Sequence, residues 1–295
     1  MNKITLILSL LLTQNANAFI PIPNIPNIPS PPQLPMFGNF NPNRLRAEFN
    51  QFVDTQPDFA RERRVVSQIE ESVMDGDVEF LPLNKGREVF SIYMESEADQ
   101  PKGGVIILHN RGQHANWDDT IKPLRIGLTE KGWNTLSVQM PVLGKKAKYY
   151  DYVPIFPYSH ERIEAAIDFY KQKGINNIVL IAHGCGAHMA MSYIEKYGDD
   201  KINGFVGIGM GATDYKQKLV NGFPLHKMTT PILDIYAAQD FKGVRKMAEY
   251  RSRLIKQAGN EKSAQVIIDN ADHYYKANGS VERLTDKVAT WLNAL

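Results

Sequence analysis

The sequence contains a single cysteine, Cys185, so no disulfide can form within the chain. It also lacks an excess of one charge, because 34 Lys and Arg residues stand against 32 Asp and Glu residues. Nucleic-acid-binding proteins usually carry a clear basic excess, and polybasic segments bind membrane surfaces, so neither partner is expected. Beyond the first 18 residues no apolar run is long enough to cross a bilayer, so no integral membrane span is expected. Ordinary proportions of apolar (43%) and charged (22%) residues indicate a globular fold.

The first 18 residues have the three parts of a secretory signal peptide. Lys3 precedes a short apolar run from Ile4 to Leu12, and Ala16 and Ala18 form a small-x-small cleavage pattern. We therefore expect cleavage after Ala18 and an exported protein, either periplasmic or secreted. A retained N-terminal segment is the alternative interpretation.

Residues 19–43 form a proline-rich segment that contains eight of the 17 prolines. Proline fixes φ and lacks an N–H group, so this segment is expected to be extended and semi-rigid. We interpret it as a linker. The alternative is a peptide that docks on a protein partner.

Residues 44–295 are expected to form one domain, whose N-terminal part is residues 44–100. Apolar residues recur every three or four positions between 44 and 75, which predicts helices interrupted at Pro57. A turn signal then separates two predicted strands, Val78–Pro82 and Arg87–Met94, which would form a β-hairpin.

Residues 101–295 alternate short apolar strands with amphipathic helices. The predicted strands are Val105–Leu108, Asn134–Val138, Asn177–His183, Phe205–Gly209, Ile232–Ala237 and Ala264–Asp269. Ser159 is expected to cap a helix that begins at His160. Continuous apolar strands that alternate with helices predict an α/β protein, with a mostly parallel central sheet and helices on both faces.

Polar residues follow several of these strands, where such sheets place their chemistry. Arg111 lies shortly after the first strand, and Asp240 follows the fifth. His273 follows the sixth strand and is directly preceded by Asp272. Asp240 and His273 are expected to form a hydrogen bond, with Asp272 as a rival acid. Gly184 lies between the third strand and a helix.

This order resembles the α/β-hydrolase superfamily, in which a serine on a strand-to-helix turn, an acid and a histidine follow one another. That turn, the nucleophile elbow, often reads Gly-His-Ser-x-Gly-Gly, whereas residues 182–187 read Ala-His-Gly-Cys-Gly-Ala. The resemblance covers residues 78–295. It implies the α/β-hydrolase fold, with a helical and β-hairpin addition at the N-terminus, and makes Asp240 the acid and His273 the base.

Several shorter features resemble a bacterial family of uncharacterised, exported α/β-hydrolase-like proteins more closely. These features are the region of Trp117, the Gly132-Trp133 pair, the turn at residues 211–214 and the glycine-rich elbow. This resemblance implies no particular activity.

The elbow departs from the superfamily at the nucleophile, because Gly184 has no side chain and leaves that position vacant. Glycine relieves the strained backbone of the elbow at no steric cost. Cys185 is one residue further along, where the resemblance implies a backbone N–H that binds an oxyanion. Its thiol could be a nucleophile, since a helix N-terminus lowers a thiol pKa. Alternatively, it is an apolar packing residue.

Other candidate side chains surround this region. The resemblance makes His109, Asn110 and Arg111 an oxyanion or substrate-binding loop, with Trp117 nearby. Arg111 would bind an anionic group or form a surface salt bridge. An aromatic run between residues 149 and 158 would line a pocket, form a lid or only pack.

No cofactor is expected. Three imidazoles at strand ends, those of His109, His183 and His273, would suggest zinc, but no ligand-spacing signature supports a metal. His114 is expected in a loop and His188 on a helix surface.

Two functions remain open at this point. One is a hydrolase of esters, thioesters or amides that uses Cys185, or a water activated by His273 and Asp240. The other is a non-catalytic protein that keeps the fold and binds a small molecule or a partner.

Overall fold

The structure is a computed structural model and describes residues 55–295. The predicted signal peptide, the proline-rich segment and the start of the predicted helical region lie outside the described residues. No helix within residues 55–295 combines the length and the apolar character that a membrane span requires.

Eight strands form one sheet. They are β1 (Asp77–Pro82), β2 (Glu88–Met94), β3 (Gly104–Leu108), β4 (Asn134–Val138), β5 (Ile178–His183), β6 (Gly204–Ile208), β7 (Ile232–Gln239) and β8 (Ala264–Asp272). The order across the sheet is β1-β2-β4-β3-β5-β6-β7-β8. The predicted hairpin β1–β2 is antiparallel and joins β4 at the edge of the same sheet, while all pairs from β4 to β8 are parallel.

Eight α-helices accompany the sheet within the described residues. They are α1 (Phe59–Glu70), α2 (Ile121–Glu130), α3 (Tyr149–Tyr152), α4 (His160–Gln172), α5 (Cys185–Tyr197), α6 (Lys242–Lys246), α7 (Ala248–Ala258) and α8 (Ser280–Leu292). Short 3-10 segments span Asn84–Gly86, Val153–Ser159 and Pro224–Lys227.

The central strands are buried on both faces, which explains why their sequences are continuously apolar. In β3, Ile106 and Leu108 face the core that α4, α5 and α7 cover, whereas Val105 and Ile107 face the core under α2 and α8. Because strand side chains alternate, one four-residue apolar run supplies both cores. The predicted two-sided sheet is confirmed.

The chain differs from the sequence prediction at a few element ends. Ser159 does not cap α4, because its hydroxyl donates to the carbonyl of Phe156 (2.6 Å) and the preceding 3-10 segment runs directly into the helix. Strand β8 continues past its predicted end to Asp272, so His273 follows the strand without an intervening turn. The helical segment after β7 is divided at Met247 into α6 and α7.

Candidate functional site

The elbow between β5 and α5 has a backbone that favours glycine. Gly184 has φ 54° and ψ −114°, a positive φ that strains any residue with a Cβ. Two positions later, a Cβ at Gly186 would lie 2.6 Å from the carbonyl oxygen of His109. The elbow is therefore pressed against the end of β3, which brings the residues after β3 to the nucleophile position.

Asp240 and His273 lie side by side at the carboxyl ends of β7 and β8. The Nδ1–H of His273 donates to Asp240 Oδ1 over 2.7 Å, the contact expected from their order in the sequence. Asp240 Oδ1 also accepts the N–H of Phe241 (2.7 Å), and Oδ2 accepts that of Ala237 (3.3 Å). The pair rests on Gly209, where a Cβ would lie 2.8 Å from His273 Cε1. Whether the pair is catalytic remains a prediction.

The rival acid, Asp272, belongs to a turn. Its Oδ1 accepts the N–H groups of Tyr274 (3.0 Å) and Lys276 (3.2 Å), which holds the chain that leaves β8. Asp240 is therefore the carboxylate that orients the imidazole of His273.

The side chain of Asn110 fills the space beside Gly184, the predicted nucleophile position. A Cβ placed on Gly184 would lie 2.5 Å from Asn110 Cγ and Oδ1, and 2.7 Å from Nδ2. Asn110 is only 4% exposed and comes from the loop after β3. A serine at position 184 would therefore meet this carboxamide before it could reach His273.

The Asn110 carboxamide makes three contacts that fix its orientation. Its Oδ1 accepts the backbone N–H of Cys185 and that of Arg111, each over 2.8 Å. Its Nδ2 lies 3.1 Å from Nε2 of His273. Because the Nδ1–H of His273 is donated to Asp240, Nε2 is the acceptor and the amide is the donor. If the amide oxygen and nitrogen were exchanged, the NH2 group would face the two backbone N–H groups of Cys185 and Arg111. Only the observed orientation therefore gives each donor an acceptor.

Those contacts use the two backbone N–H groups that the resemblance assigns to an oxyanion. The N–H of the residue after the nucleophile and an N–H from the loop after β3 form the oxyanion hole of this superfamily. Here both bind Asn110 Oδ1. Asn110 therefore lies at the predicted site as an occupant of the oxyanion hole and not as one of its donors.

The thiol of Cys185 is unsuited to nucleophilic attack. It is 3% exposed, it belongs to the larger apolar cluster, and burial raises its pKa to about 12. Within the described residues no hydrogen bond joins its Sγ to His273, whose ring nitrogens contact Asp240 and Asn110. This environment favours the packing interpretation of the side chain.

His109 supports the loop and does not face an oxyanion. Its Nε2 accepts the N–H of Met140 (2.9 Å), and its Nδ1–H donates to the backbone carbonyl of Asn110 (2.8 Å). Burial lowers its pKa to about 3, so the ring is neutral near pH 7. Nδ1 thus holds the chain after β3 and Nε2 holds the chain after β4, in place of the predicted contact with substrate. Trp117 packs edge-on against His114 (5.2 Å between ring centroids), and none of its hydrogen bonds reaches Asp240 or His273.

His183 contacts both the backbone and the ring of His273. Its Nε2–H donates to the backbone carbonyl of His273 (2.8 Å), and the two rings lie 4.9 Å apart. Burial lowers the pKa of His183 to about 3. The three imidazoles that could have suggested zinc thus have separate hydrogen-bond partners. Within residues 55–295 no group of three or more His, Cys, Asp or Glu side chains could hold a metal ion.

Arg111 forms the predicted alternative, a salt bridge. Its guanidinium binds both carboxylate oxygens of Asp214, with Nη2 at 2.9 Å from Oδ1. Asp214 Oδ2 also accepts the N–H of Tyr149, the first residue of α3 (2.7 Å). The loop after β3, the turn after β6 and the aromatic segment are therefore tied together over the elbow.

The aromatic segment covers α5, which corrects the prediction for His188. Instead of lying on a helix surface, His188 is 4% exposed, 5.1 Å from the ring of Tyr149 and 6.2 Å from that of Phe156. Burial lowers its pKa to about 3, and its Nε2 has no partner within the described residues. The aromatic run is thus a closed cover made of α3 and the 3-10 segment after it.

Sequence reasoning missed two partners in the site. Asp214 lies 103 positions from Arg111, and no local pattern links them. Phe241 stacks on His273 with 4.4 Å between ring centroids. Its place directly after Asp240, the predicted acid, is a sequence signal that could have identified it as a neighbour of His273. Phe241 is 39% exposed and is the outer wall of the dyad.

The family described as "Protein of unknown function (DUF3530)" matches residues 41–151 and 158–294. No curated protein matches the chain.

Many solved structures match, and they include proteins named as hydrolases. Dienelactone hydrolase from Anabaena variabilis has a TM-score of 0.57 at 14% identity, over 74% of this chain and 96% of that one. An alpha-beta serine hydrolase homologue from Coxiella burnetii has a TM-score of 0.54 at 18% identity, over 76% and 99%. Est1E from Butyrivibrio proteoclasticus has a TM-score of 0.54 at 15% identity, over 74% and 98%. Identities this low establish the fold alone.

Proposed function

The chain belongs to the family described as "Protein of unknown function (DUF3530)" and has the α/β-hydrolase fold. We propose that it is an exported protein that binds an acyl-type ligand without hydrolysing it. The observation that carries this proposal is the position of Asn110. Its carboxamide fills the space of the missing nucleophile and occupies the groups that would bind an acyl oxygen. A hydrolase needs that space for its attacking atom.

Export rests on the sequence of residues 1–18, which has the pattern of a cleaved signal peptide. The proposed location is the periplasm or the medium. The proline-rich segment 19–43 is proposed as a linker, with docking on a protein partner as its alternative use.

A second candidate is hydrolysis by water, and the intact Asp240–His273 pair favours it. If the Asn110 side chain moved away, the space above Gly184 could admit a water beside Nε2 of His273, close to two N–H donors. The substrates would be esters, thioesters or amides. A nucleophilic Cys185 is disfavoured by the raised pKa of its buried thiol.

Fluorophosphonate labelling and hydrolysis of small activated esters test the proposal. We expect no labelling or turnover for the wild type or for Gly184→Ser, because Asn110 blocks position 184. The double variant Gly184→Ser with Asn110→Gly should be labelled at position 184, since the hydroxyl can then face His273.

Three results would argue against this proposal. Turnover by the wild type that is lost in Cys185→Ala would establish the thiol as a nucleophile. Turnover by the wild type that is kept in Cys185→Ala but lost in His273→Gln would establish the water mechanism. A folded double variant that is neither labelled nor active would mean that Gly184 is not the nucleophile position.

A further inference from the structure

The groups around the Asn110 side chain form a template for one kind of ligand. Two N–H donors, of Cys185 and Arg111, converge on a single oxygen. On the other side of the same planar carbon, Nε2 of His273 faces a nitrogen that donates to it. A carboxamide offers this combination, one acceptor and one donor on a single trigonal carbon.

Other acyl groups leave this template incompletely matched. An ester or ketone would accept from the two N–H groups but would offer no proton to the buried Nε2 of His273. A carboxylate would set a second acceptor against that nitrogen. A buried acceptor without a donor is costly, so sites of this kind reject analogues that lack the matching N–H.

We infer that the space above Gly184 is a carboxamide-binding site, that Asn110 is its internal occupant, and that the ligand of this protein presents a primary or secondary carboxamide that displaces the Asn110 side chain. This inference rests on the proposed function, because it names the ligand class of the same site.

The outer wall of the site is only partly buried, which gives a ligand a direction of approach. Phe241, stacked on His273, is 39% exposed. The side chains of Arg111 and Asp214 are 23% and 25% exposed on the other side of the loop. A ligand that entered here would meet an aromatic face and an ion pair before its carboxamide reached the site.

Rescue of a cavity by a small amide tests the inference. Asn110→Gly removes a side chain whose size and groups are those of acetamide, so acetamide should refill the cavity. Acetone has nearly the same shape but lacks the N–H donor. We expect the Tm of Asn110→Gly to rise with acetamide relative to an equal concentration of acetone.

The control is Asn134→Gly, which removes another buried asparagine. Asn134 is 3% exposed and its Oδ1 accepts the N–H of Ser96 (2.9 Å), but its side chain has no hydrogen bond to an imidazole. Acetamide should give this variant no advantage over acetone. If Asn110→Gly does not fold, Asn110→Ala with formamide, measured against acetaldehyde, makes the same comparison in a cavity one carbon smaller.

The outcomes separate the two proposals. Equal effects of the amide and its carbonyl analogue, or the same rescue in Asn134→Gly, would overturn the carboxamide site and leave the non-catalytic proposal standing. Selective rescue without ammonia release supports both. Selective rescue, together with His273-dependent release of ammonia from acetamide by the wild type, would support the carboxamide site and overturn the non-catalytic proposal.

Discussion

The two halves of the site match different parts of the predicted hydrolase site. The half at β7 and β8 keeps its side chains, since Asp240 and His273 are hydrogen-bonded over 2.7 Å. The half at β5 keeps only its backbone, since Gly184 has the strained turn without a nucleophile. Asn110 joins the two halves, because its oxygen binds the elbow and its nitrogen contacts the base. The elbow backbone and the Asp240–His273 pair are thus present together without a nucleophilic side chain at position 184.

The largest expected effect comes from placing a side chain at the elbow. Gly184→Ser should lower the free energy of unfolding by about 1–3 kcal/mol for the positive φ and by about 1–3 kcal/mol more for the clash with Asn110. Chemical denaturation measures the loss. Adding Asn110→Gly should remove the clash and recover part of it.

The control for backbone strain is Gly174→Ser, since Gly174 has φ +77° and a Cβ there would meet nothing within 4 Å. It should show the strain and no recovery from Asn110→Gly. If Asn110→Gly gave no recovery with Gly184→Ser either, the two positions would not share one space.

A smaller effect on stability is expected from pH, and it comes from His188, in the helix that follows the elbow. Burial lowers the pKa of His188 from 6.5 to about 3, so the folded protein holds the ring neutral while the unfolded chain binds a proton below pH 6.5. The contribution of His188 to stability is therefore complete above pH 6.5 and declines as the pH falls toward 3. The slope is about 1.4 kcal/mol per pH unit for one proton.

The measurement is the unfolding free energy between pH 7 and pH 4 for the wild type and for His188→Phe. The phenylalanine side chain suits the surroundings formed by Tyr149 and Phe156. In the variant, the slope of the unfolding free energy against pH should fall by the contribution of about one proton. The part of the slope that comes from the other buried histidines should remain. An unchanged slope would contradict a neutral, buried His188.

The smallest effect is expected at the ion pair that ties the cover to the loop after β3. Asp214→Ala removes the carboxylate that binds Arg111 and the N–H of Tyr149. Because the pair is partly exposed, the loss of stability should be about 1 kcal/mol. Hydrogen exchange should become faster in residues 149–159, while Asp214→Asn, which retains an acceptor for Tyr149, should change less. Equal protection in all three proteins would mean that Asp214 does not hold the cover.

The sequence predicted the parts of the site that depend on strand order. Asp240 and His273 each follow a strand, and parallel strands bring their carboxyl ends to one edge. Gly184 was predicted because its neighbours resemble an elbow. The contents of the elbow were not predicted, because only the tertiary fold brings Asn110 to Gly184 and to His273, which lies 163 positions away. His188 was misplaced for a similar reason, since the cover over its helix comes from residues that have no local relation to it.

The central claim is that the Asn110 carboxamide occupies the nucleophile position and donates to His273. The most direct measurement is a nitrogen NMR spectrum of the His273 ring that looks for coupling between its Nε2 and Asn110 Nδ2 across the hydrogen bond. We predict that this coupling is present in the wild type and absent in Asn110→Ala, with Nδ1 protonated toward Asp240 in both proteins. A wild-type Nε2 without the coupling, and with the same signal in Asn110→Ala, would contradict the account.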